Sequence, residues 1–305
     1  MPSNLPSLGA LPRRFRRPRI LLVGCGDIGL RVVKAHPQIH WRVLTSSPER
    51  VPALRALGLT PLVGNLDRPQ DLGRLAGLAS RVLFLAPPPG QGRTDPRSQA
   101  LLKVLALRGG LRGSVYGSTS GVYGDCGGVW VDESRPVNPQ SDRAWRRVDA
   151  EARWRHFGRA LATPVSVLRI PGIYAPDREG GTPLGRLRQG LPVLAAQDDV
   201  YTNHIHADDL ARACWLALWR GRAGRAYHVS DDSDLRMADY YDFAADLYQL
   251  PRPARVARDQ AQALFSPMQW SFMQESRRLR NQRMKQELRL TLRYPTVAQG
   301  LRASA

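Results

Sequence analysis

The chain has 305 residues, of which 43% are hydrophobic, enough to bury the core of one large globular domain with a smaller lobe. No apolar run reaches the roughly 18 to 20 residues that cross a bilayer, and the amino terminus lacks the apolar stretch of a secretory signal. We therefore expect a cytoplasmic protein without a membrane partner. Cys25, Cys126 and Cys214 are too widely spaced for a disulfide framework or a zinc site, so no metal is expected.

The formal net charge of +19 raises the hypothesis of nucleic-acid binding, because a basic face is what binds phosphates. However, the 45 basic residues are 42 arginines and 3 lysines scattered along the chain, a composition typical of a GC-rich genome. The two local concentrations, residues 13–19 and 277–285, are interpreted as solvated surface. The expected partner is a small-molecule substrate rather than nucleic acid, and the sequence leaves homo-oligomer formation open.

Residues 1–18 contain four prolines and no apolar period, which predicts a flexible basic tail. From Arg19 onward, short apolar runs alternate with amphipathic stretches. This alternation of strand and helix predicts right-handed crossovers and a parallel sheet. The strands are predicted at 20–23, 42–44, 61–63, 81–85, 114–117, 165–169 and 226–229, and the helices at 27–36, 48–57, 98–107, 141–161 and 207–219.

Two stretches interrupt the alternation: residues 175–202 are rich in Gly and Pro, and the chain from 231 onward is mostly helical in pattern. We predict an α/β fold in which residues 19–175 and 204–230 form a Rossmann-type, doubly wound parallel sheet. Residues 176–203 and 231–305 are predicted to form a smaller, mostly helical C-terminal lobe that binds substrate over the carboxyl ends of the strands.

A glycine-rich loop, residues 23–29 (VGCGDIG), follows the first predicted strand and leads into the first predicted helix. Gly24, Gly26 and Gly29 fit GxGxxG, in which the first glycine permits a tight turn. The second lets backbone approach a pyrophosphate, and the third lets helix pack on strand. We predict that Gly24 to Gly29, including Asp27 and Ile28, bind a dinucleotide at the helix N-terminus. Asp27 itself is interpreted as a residue that favours a helix start.

The end of the second predicted strand bears on the choice between NAD and NADP. An NAD site usually has an Asp or Glu here, which binds the ribose 2′-hydroxyl. The sequence instead reads LTSSPER over residues 44–50, and Ser46 with Arg50 could hold a 2′-phosphate. We therefore favour NADP as cofactor, with NAD possible. The alternative is that Ser46 and Ser47 merely cap the next helix.

Later segments resemble the extended short-chain dehydrogenase/reductase superfamily, the NAD-dependent epimerase/dehydratase group. In chain order, 64–67 (GNLD) resembles its GDL element, 83–87 (LFLAP) its fourth-strand end, 118–124 (STSGVYG) SSxxVYG, 168–174 (LRIPGIY) LRxxxxY, 204–210 (HIHADDL) IHVDDLA, and 276–281 (SRRLRN) SKRVSN. The resemblance spans about residues 19–301 and implies a nicotinamide cofactor and a nucleotide-sugar or related carbonyl or alcohol substrate. It also implies a cofactor site that includes Asn65, Leu66, Ala86, Pro87, Pro171 and Ile173.

The resemblance ends at the catalytic residues. In this superfamily a Tyr is the general acid or base, a Lys four residues later lowers its pKa and holds the ribose, and a Ser or Thr orients the substrate. Thr119 matches the position of the family's Ser or Thr. Alignment on Glu151, however, puts Arg143 at the Tyr position and Arg147 at the Lys position. Arg143 stays protonated and cannot be the base, whereas Arg147 could still bind the ribose. This departure resembles the atypical branch of the superfamily, which lacks the YxxxK pair.

The catalytic candidates are therefore Thr119 and Tyr123, with Tyr123 as a displaced acid; the alternative is that Tyr123 is a packed loop tyrosine. The histidines and aspartates within residues 204–209 are interpreted as anchors of the following helix. We expect an NAD(P)-dependent oxidoreductase or epimerase/dehydratase-like enzyme with a non-standard proton donor, acting on a nucleotide-sugar or small carbonyl or alcohol. The alternative is a catalytically inactive NADP-binding sensor or regulatory protein.

Overall fold

A computed structural model describes residues 18–303, so nearly all of the predicted basic tail, residues 1–18, lies outside the described residues. Seven parallel strands form one sheet: β1 (Arg19–Val23), β2 (His40–Thr45), β3 (Thr60–Val63), β4 (Arg81–Phe84), β5 (Gly113–Thr119), β6 (Val165–Ile170) and β7 (Ala226–His228). Their order across the sheet is β7-β6-β5-β4-β1-β2-β3. The order reverses between β1 and β4, which is the switch point where such sheets bind ligands. The predicted Rossmann-type fold class is confirmed.

Helices cover both faces of this sheet. The described helices, not all of which pack on the sheet, are α1 (Asp27–Ala35), α2 (Val51–Ala56), α3 (Pro96–Ala106), α4 (Asp142–Ala160), α5 (Leu184–Arg188), α6 (Ala207–Arg220), α7 (Met237–Leu247), α8 (Arg258–Leu264), α9 (Pro267–Met273), α10 (Gln282–Glu287) and α11 (Val297–Arg302). One apolar cluster joins α1 and α6 to one face of the sheet, and a second joins α3 and α4 to the other face. Because strands of parallel sheets are buried on both sides, they read as continuous apolar runs.

The helix starts follow from local capping chemistry. The Asp95 side chain accepts hydrogen bonds from the backbone of Arg97 and Ser98 at the start of α3, and the Ser141 side chain caps α4. The predicted helix 48–57 is divided into a 3₁₀ turn, Pro48–Arg50, followed by α2. Pro52 has no N–H to donate to a preceding carbonyl, which is consistent with this short, irregular start.

The remaining chain forms the helical C-terminal portion that the sequence predicted, together with four short strand pairs that it did not. The pairs are Trp130–Val131 with Arg278–Leu279, Gly172–Tyr174 with His204–His206, Val193–Leu194 with Arg255–Val256, and Tyr201–Thr202 with Leu235–Arg236. Two or three residues are too few to show a period of two in the sequence. Among the described helices, none has the length and apolarity that a membrane crossing requires.

Candidate functional site

The glycine loop joins β1 to α1, and each of its three glycines has a different steric reason to be glycine. Gly24 has φ +91°, and a Cβ atom there would lie 2.3 Å from the backbone N of Ala86. A Cβ on Gly29 would lie 3.0 Å from the Gly24 carbonyl oxygen, so helix and strand approach closely. At Gly26, by contrast, a Cβ would meet no described atom within 4 Å. The open space beside Gly26, at the N-terminus of α1, fits a pyrophosphate.

A cleft of about 360 Å³ runs from this loop along the carboxyl ends of β4, β5 and β6. It brings together most of the predicted site residues, namely Gly24, Gly26, Asp27, Ile28, Gly29, Pro87, Thr119, Arg147, Pro171 and Ile173. Leu85, Gly117, Ser118, Ile170, Arg178 and Leu210 complete its wall. Segments far apart in sequence therefore meet in one cleft at the switch point of the sheet.

A second cavity, of about 340 Å³, adjoins the first and shares Gly24 and Pro87 with it. Its wall contains the other predicted cofactor residues, Ser46, Arg50, Asn65, Leu66 and Ala86. It also contains Arg97, whose guanidinium is bound by the Asp67 carboxylate at 2.6 Å. All fourteen predicted cofactor-site residues thus line one of two connected cavities.

Arg50 lies at the junction of the second cavity with the glycine loop. Its Nη2 donates a hydrogen bond to the Cys25 carbonyl at 2.7 Å. Ser47 precedes the 3₁₀ turn, but its hydroxyl makes no capping hydrogen bond. Ser46 is exposed and lies in the wall of the same cavity. The interpretation of these serines as simple helix caps is therefore not supported.

At the opposite end of the cleft, Thr119 ends β5 and Arg147 lies on α4. The Thr119 hydroxyl accepts a hydrogen bond from the backbone N of Gly121 at 3.2 Å, so its own proton can be donated to another group. Arg147 Nη1 donates to the Gly117 carbonyl at 2.7 Å and to the Tyr116 hydroxyl at 3.2 Å. This end of the cleft can therefore offer a hydroxyl and a fixed positive charge to a ligand.

Arg143, at the position of the family's tyrosine, lies one turn before Arg147 on α4. Its guanidinium stacks over the ring of Phe272 at 4.5 Å. Burial lowers the pKa of Arg143, while the nearby Glu275 carboxylate acts in the opposite direction. In the described structure Arg143 is not part of the cleft wall. The residue that the sequence alignment puts at the tyrosine position therefore lies outside the cleft wall.

The structure argues against Tyr123 as the displaced acid. Its side chain is 1% exposed, at the end of a 3₁₀ turn, Ser120–Tyr123, which directs it into the protein interior. The hydroxyl lies 2.6 Å from His228 Nε2 and accepts a hydrogen bond from Arg169. Burial raises the pKa of Tyr123 to about 12. The alternative, a packed loop tyrosine, describes this geometry.

Sequence reasoning missed a buried ion pair behind this end of the cleft. Arg169 on β6 donates from Nη2 to Glu151 Oε2 at 2.8 Å and from Nε to Oε1 at 3.2 Å. Both side chains are less than 5% exposed. The Ser118 hydroxyl donates to Glu151 Oε1 at 2.7 Å. Together with Ser118, the pair connects α4, β5 and β6. In the sequence, Glu151 was used only to align the positions of Arg143 and Arg147.

The helix-anchor interpretation of residues 204–209 agrees with the geometry. His206 precedes α6, and its Nδ1 accepts a hydrogen bond from the backbone N of Asp208 at 3.2 Å. The buried Asp209 carboxylate accepts from the backbone N of Arg293 and of Tyr294, both at 2.9 Å. No group of three or more His, Cys, Asp and Glu residues within 18–303 could hold a metal ion.

These features define a class of protein: a Rossmann-type parallel sheet with a GxGxxG loop and a cleft at its switch point, followed by a helical C-terminal portion. Residues 97–230 match the model of the NAD dependent epimerase/dehydratase family. This segment, a little under half of the chain, is similar to that family, in agreement with the resemblance of the sequence motifs.

Proteins similar to this chain include the following three. A functionally unknown conserved protein from Silicibacter pomeroyi is 32% identical, with a TM-score of 0.77 over 94% of this chain and 97% of that one. The dTDP-glucose 4,6-dehydratase DesIV from Streptomyces venezuelae, solved as a double mutant with NAD bound, is 21% identical. Its TM-score is 0.72 over 93% of this chain and 94% of that one, and this likeness shows the shared fold.

A probable dTDP-glucose 4,6-dehydratase from Sinorhizobium fredii is 30% identical over 129 residues, which are 40% of this chain and 37% of that protein. The chain thus spans only 25% and 37% of the lengths of two curated relatives that it matches.

Proposed function

We propose that the chain binds NADP(H) along the two connected cavities. The observation that carries this proposal is the glycine loop, in which Gly24 has a conformation and a neighbour that exclude a side chain. Gly26, in contrast, faces open space at the N-terminus of α1. Gly26 and the first backbone N–H groups of α1 would hold the pyrophosphate. Asn65, Leu66, Ala86 and Pro87 would contact the adenosine side of the dinucleotide.

The preference for NADP over NAD rests on the second cavity. Arg50 and the exposed Ser46 lie in its wall, and no carboxylate ends β2, whose last residue is Thr45. A guanidinium with neighbouring hydroxyls suits a 2′-phosphate, whereas NAD sites usually have a carboxylate there. NAD remains the alternative, and it is the dinucleotide bound in the solved dehydratase DesIV.

The test is a fluorescence titration of the full chain with NADPH and with NADH. We expect NADPH to bind at least 10-fold more tightly, because a charge-assisted contact to the 2′-phosphate contributes about 1.5–3 kcal/mol. Arg50→Ala should remove most of this difference by weakening NADPH binding alone. Clearly tighter binding of NADH to the wild-type chain would overturn the preference for NADP.

We further propose that the chain is an oxidoreductase or epimerase/dehydratase-like enzyme for a nucleotide-sugar or a small carbonyl or alcohol. When bound, the nicotinamide supplies hydride transfer. Thr119 would donate a hydrogen bond to the substrate oxygen, and Arg147 would bind the ribose while holding its positive charge near the reacting oxygen. The substrate would lie between the Rossmann domain and a lobe formed by residues 176–203 and 231–305. Because Arg143 cannot accept a proton, the proton donor differs from that of the family.

The alternative function, a catalytically inactive NADP-binding sensor, is favoured by the positions of Arg143 and Tyr123. Neither side chain lines the cleft in the described structure, so neither supplies the missing acid or base there. Incubation with NADPH and a panel of nucleotide-sugars and small carbonyl compounds separates the two functions. Turnover that depends on Thr119 would support the enzyme, whereas firm NADPH binding without turnover would support the sensor.

A further inference from the structure

Arg178 lies at the glycine-loop end of the cleft and comes from the loop that follows the short strand Gly172–Tyr174. Its Nη1 donates to the Ile173 carbonyl at 2.8 Å, and its Nε lies 3.3 Å from Asp27 Oδ2. The side chain is 32% exposed, so part of the guanidinium remains open to the cleft. Arg178 therefore lines the cleft beside Asp27, the first residue of α1.

Asp27 creates an electrostatic difficulty at this site. It is the first residue of α1, and it lines the same cleft as Gly26. A carboxylate at a helix N-terminus stabilises the helix. Here, however, it interacts with the same positive end of the helix dipole that would attract a pyrophosphate, so the two negative groups compete. The site therefore needs a nearby cation to bind a pyrophosphate against this carboxylate.

Arg31 does not meet this need, because its guanidinium already pairs with three carboxylates. It lies 3.0 Å from Asp27, 2.7 Å from Asp177 and 2.5 Å from Asp208. Arg147, the other arginine of the cleft wall in the described structure, is fixed at the far end by Gly117. Among the arginines of the first cleft's wall in the described structure, Arg178 is therefore the cation that lies beside the glycine loop.

We propose that Arg178 binds the pyrophosphate of the dinucleotide, completing the site that Gly26 and the N-terminus of α1 begin. The ion pair between Asp177 and Arg31 ties the Arg178 loop to α1 and so holds this guanidinium beside the glycine loop. The proposal rests on the proposed dinucleotide function and adds to it a residue outside the glycine motif. It also explains how a carboxylate is accommodated next to a phosphate site.

The proposal is tested by titrating the full chain and its variants with NADPH and NADH, which share the pyrophosphate and differ at the 2′-position. Arg178→Ala should weaken both ligands by the same factor, at least 10-fold, because each loses a charge-assisted contact. Arg178→Lys should recover part of the affinity, since it restores the charge without the planar guanidinium. Arg50→Ala, in contrast, should weaken NADPH alone.

Arg188→Ala is the matched control, because Arg188 is an exposed arginine at the end of α5 and lies outside both cavities. Thermal unfolding of each variant confirms that it is folded. If the wild-type chain binds NADPH, and Arg178→Ala binds NADPH and NADH as tightly as the wild-type chain does, the pyrophosphate role of Arg178 is overturned and the proposed function stands. If Arg178→Ala weakened the binding of only one of the two ligands, the pyrophosphate role of Arg178 would also be overturned. If the wild-type chain binds neither ligand, both proposals are overturned.

Discussion

The two ends of the cleft obey different constraints. At the glycine-loop end, the proposed contacts to the dinucleotide come from the backbone, and a Cβ at Gly24 would collide with Ala86. At the other end the cleft is lined by side chains, among them Thr119 and Arg147. The shape of the first end is therefore set by the backbone, and that of the second end by side chains that can be exchanged.

The difference has a physical cause. A positive φ and a 2.3 Å contact make most substitutions at Gly24 costly to the fold itself. Positions 143 and 147 lie on a half-buried part of α4, where an arginine finds other partners. Arg143 stacks on Phe272, and Arg147 donates to the Gly117 carbonyl. Side chains on a helix can change without disturbing the backbone, so catalysis can alter while the fold persists.

The largest expected effect concerns the buried support of the catalytic end. Glu151→Ala would leave the Arg169 guanidinium buried without its carboxylate, and we expect a loss of about 3–5 kcal/mol in the free energy of unfolding. Urea denaturation measures it. Arg93→Ala serves as the control, because it removes an ion pair at 2.7 Å from Asp142 that is more than half exposed. That change should cost no more than about 1 kcal/mol. Equal losses in the two variants would show that burial does not matter here.

The next effect tests the glycine-loop end. Gly24→Ala should lower the free energy of unfolding by about 1–3 kcal/mol and abolish measurable NADPH binding, because the loop must move away from Ala86. Gly58→Ala is matched in backbone conformation, with φ +74°, but a Cβ there would meet no atom within 4 Å. It should lose stability from backbone strain alone and bind NADPH normally. Binding by Gly24→Ala at wild-type affinity would contradict the proposed site.

The contrast also explains what the sequence could predict. The strands and the longer helices were predicted because buried strands read as apolar runs and their helices show periodic patterns. The glycine loop was predicted because the GxGxxG spacing occupies six residues between an apolar strand and a helix, although the atom that excludes a side chain at Gly24 belongs to distant Ala86. Each of these sequence signals is contained within a short segment of the chain.

Features built by distant segments could not be predicted in this way. The pairing of Trp130–Val131 with Arg278–Leu279 is set by the fold, as is the contact between Glu151 and Arg169. Arg178 reaches the glycine loop through a turn whose shape no motif encodes. Tyr123 lies four residues after Thr119, yet a 3₁₀ turn directs it inward, so proximity in sequence suggested a role that the geometry does not support.

A smaller effect separates binding from folding at the glycine loop. Gly26 has φ −86°, which any residue can adopt, and open space surrounds its Cβ position. Gly26→Ala should therefore keep the wild-type unfolding temperature but weaken NADPH binding by at least 10-fold, because the added methyl occupies space proposed for the pyrophosphate. Differential scanning fluorimetry and fluorescence titration measure the two properties. Unchanged affinity would mean that the pyrophosphate does not lie beside Gly26.

The smallest expected effect is at the catalytic end of the cleft. Arg147→Lys would restore the residue type of the family at this position, and it keeps the positive charge proposed to bind the nicotinamide ribose. Because lysine is a point charge without the planar guanidinium, it should hold only some of the hydrogen bonds to Gly117 and Tyr116. We expect the NADPH affinity to change by no more than about threefold, which corresponds to about 0.7 kcal/mol. Arg147→Gln, which removes the charge, should weaken binding further. If Arg147→Lys weakened NADPH binding more than Gly26→Ala does, the comparison between the two ends of the cleft would be reversed. The affinity for NADPH would then depend more on a side chain of α4 than on the backbone of the glycine loop.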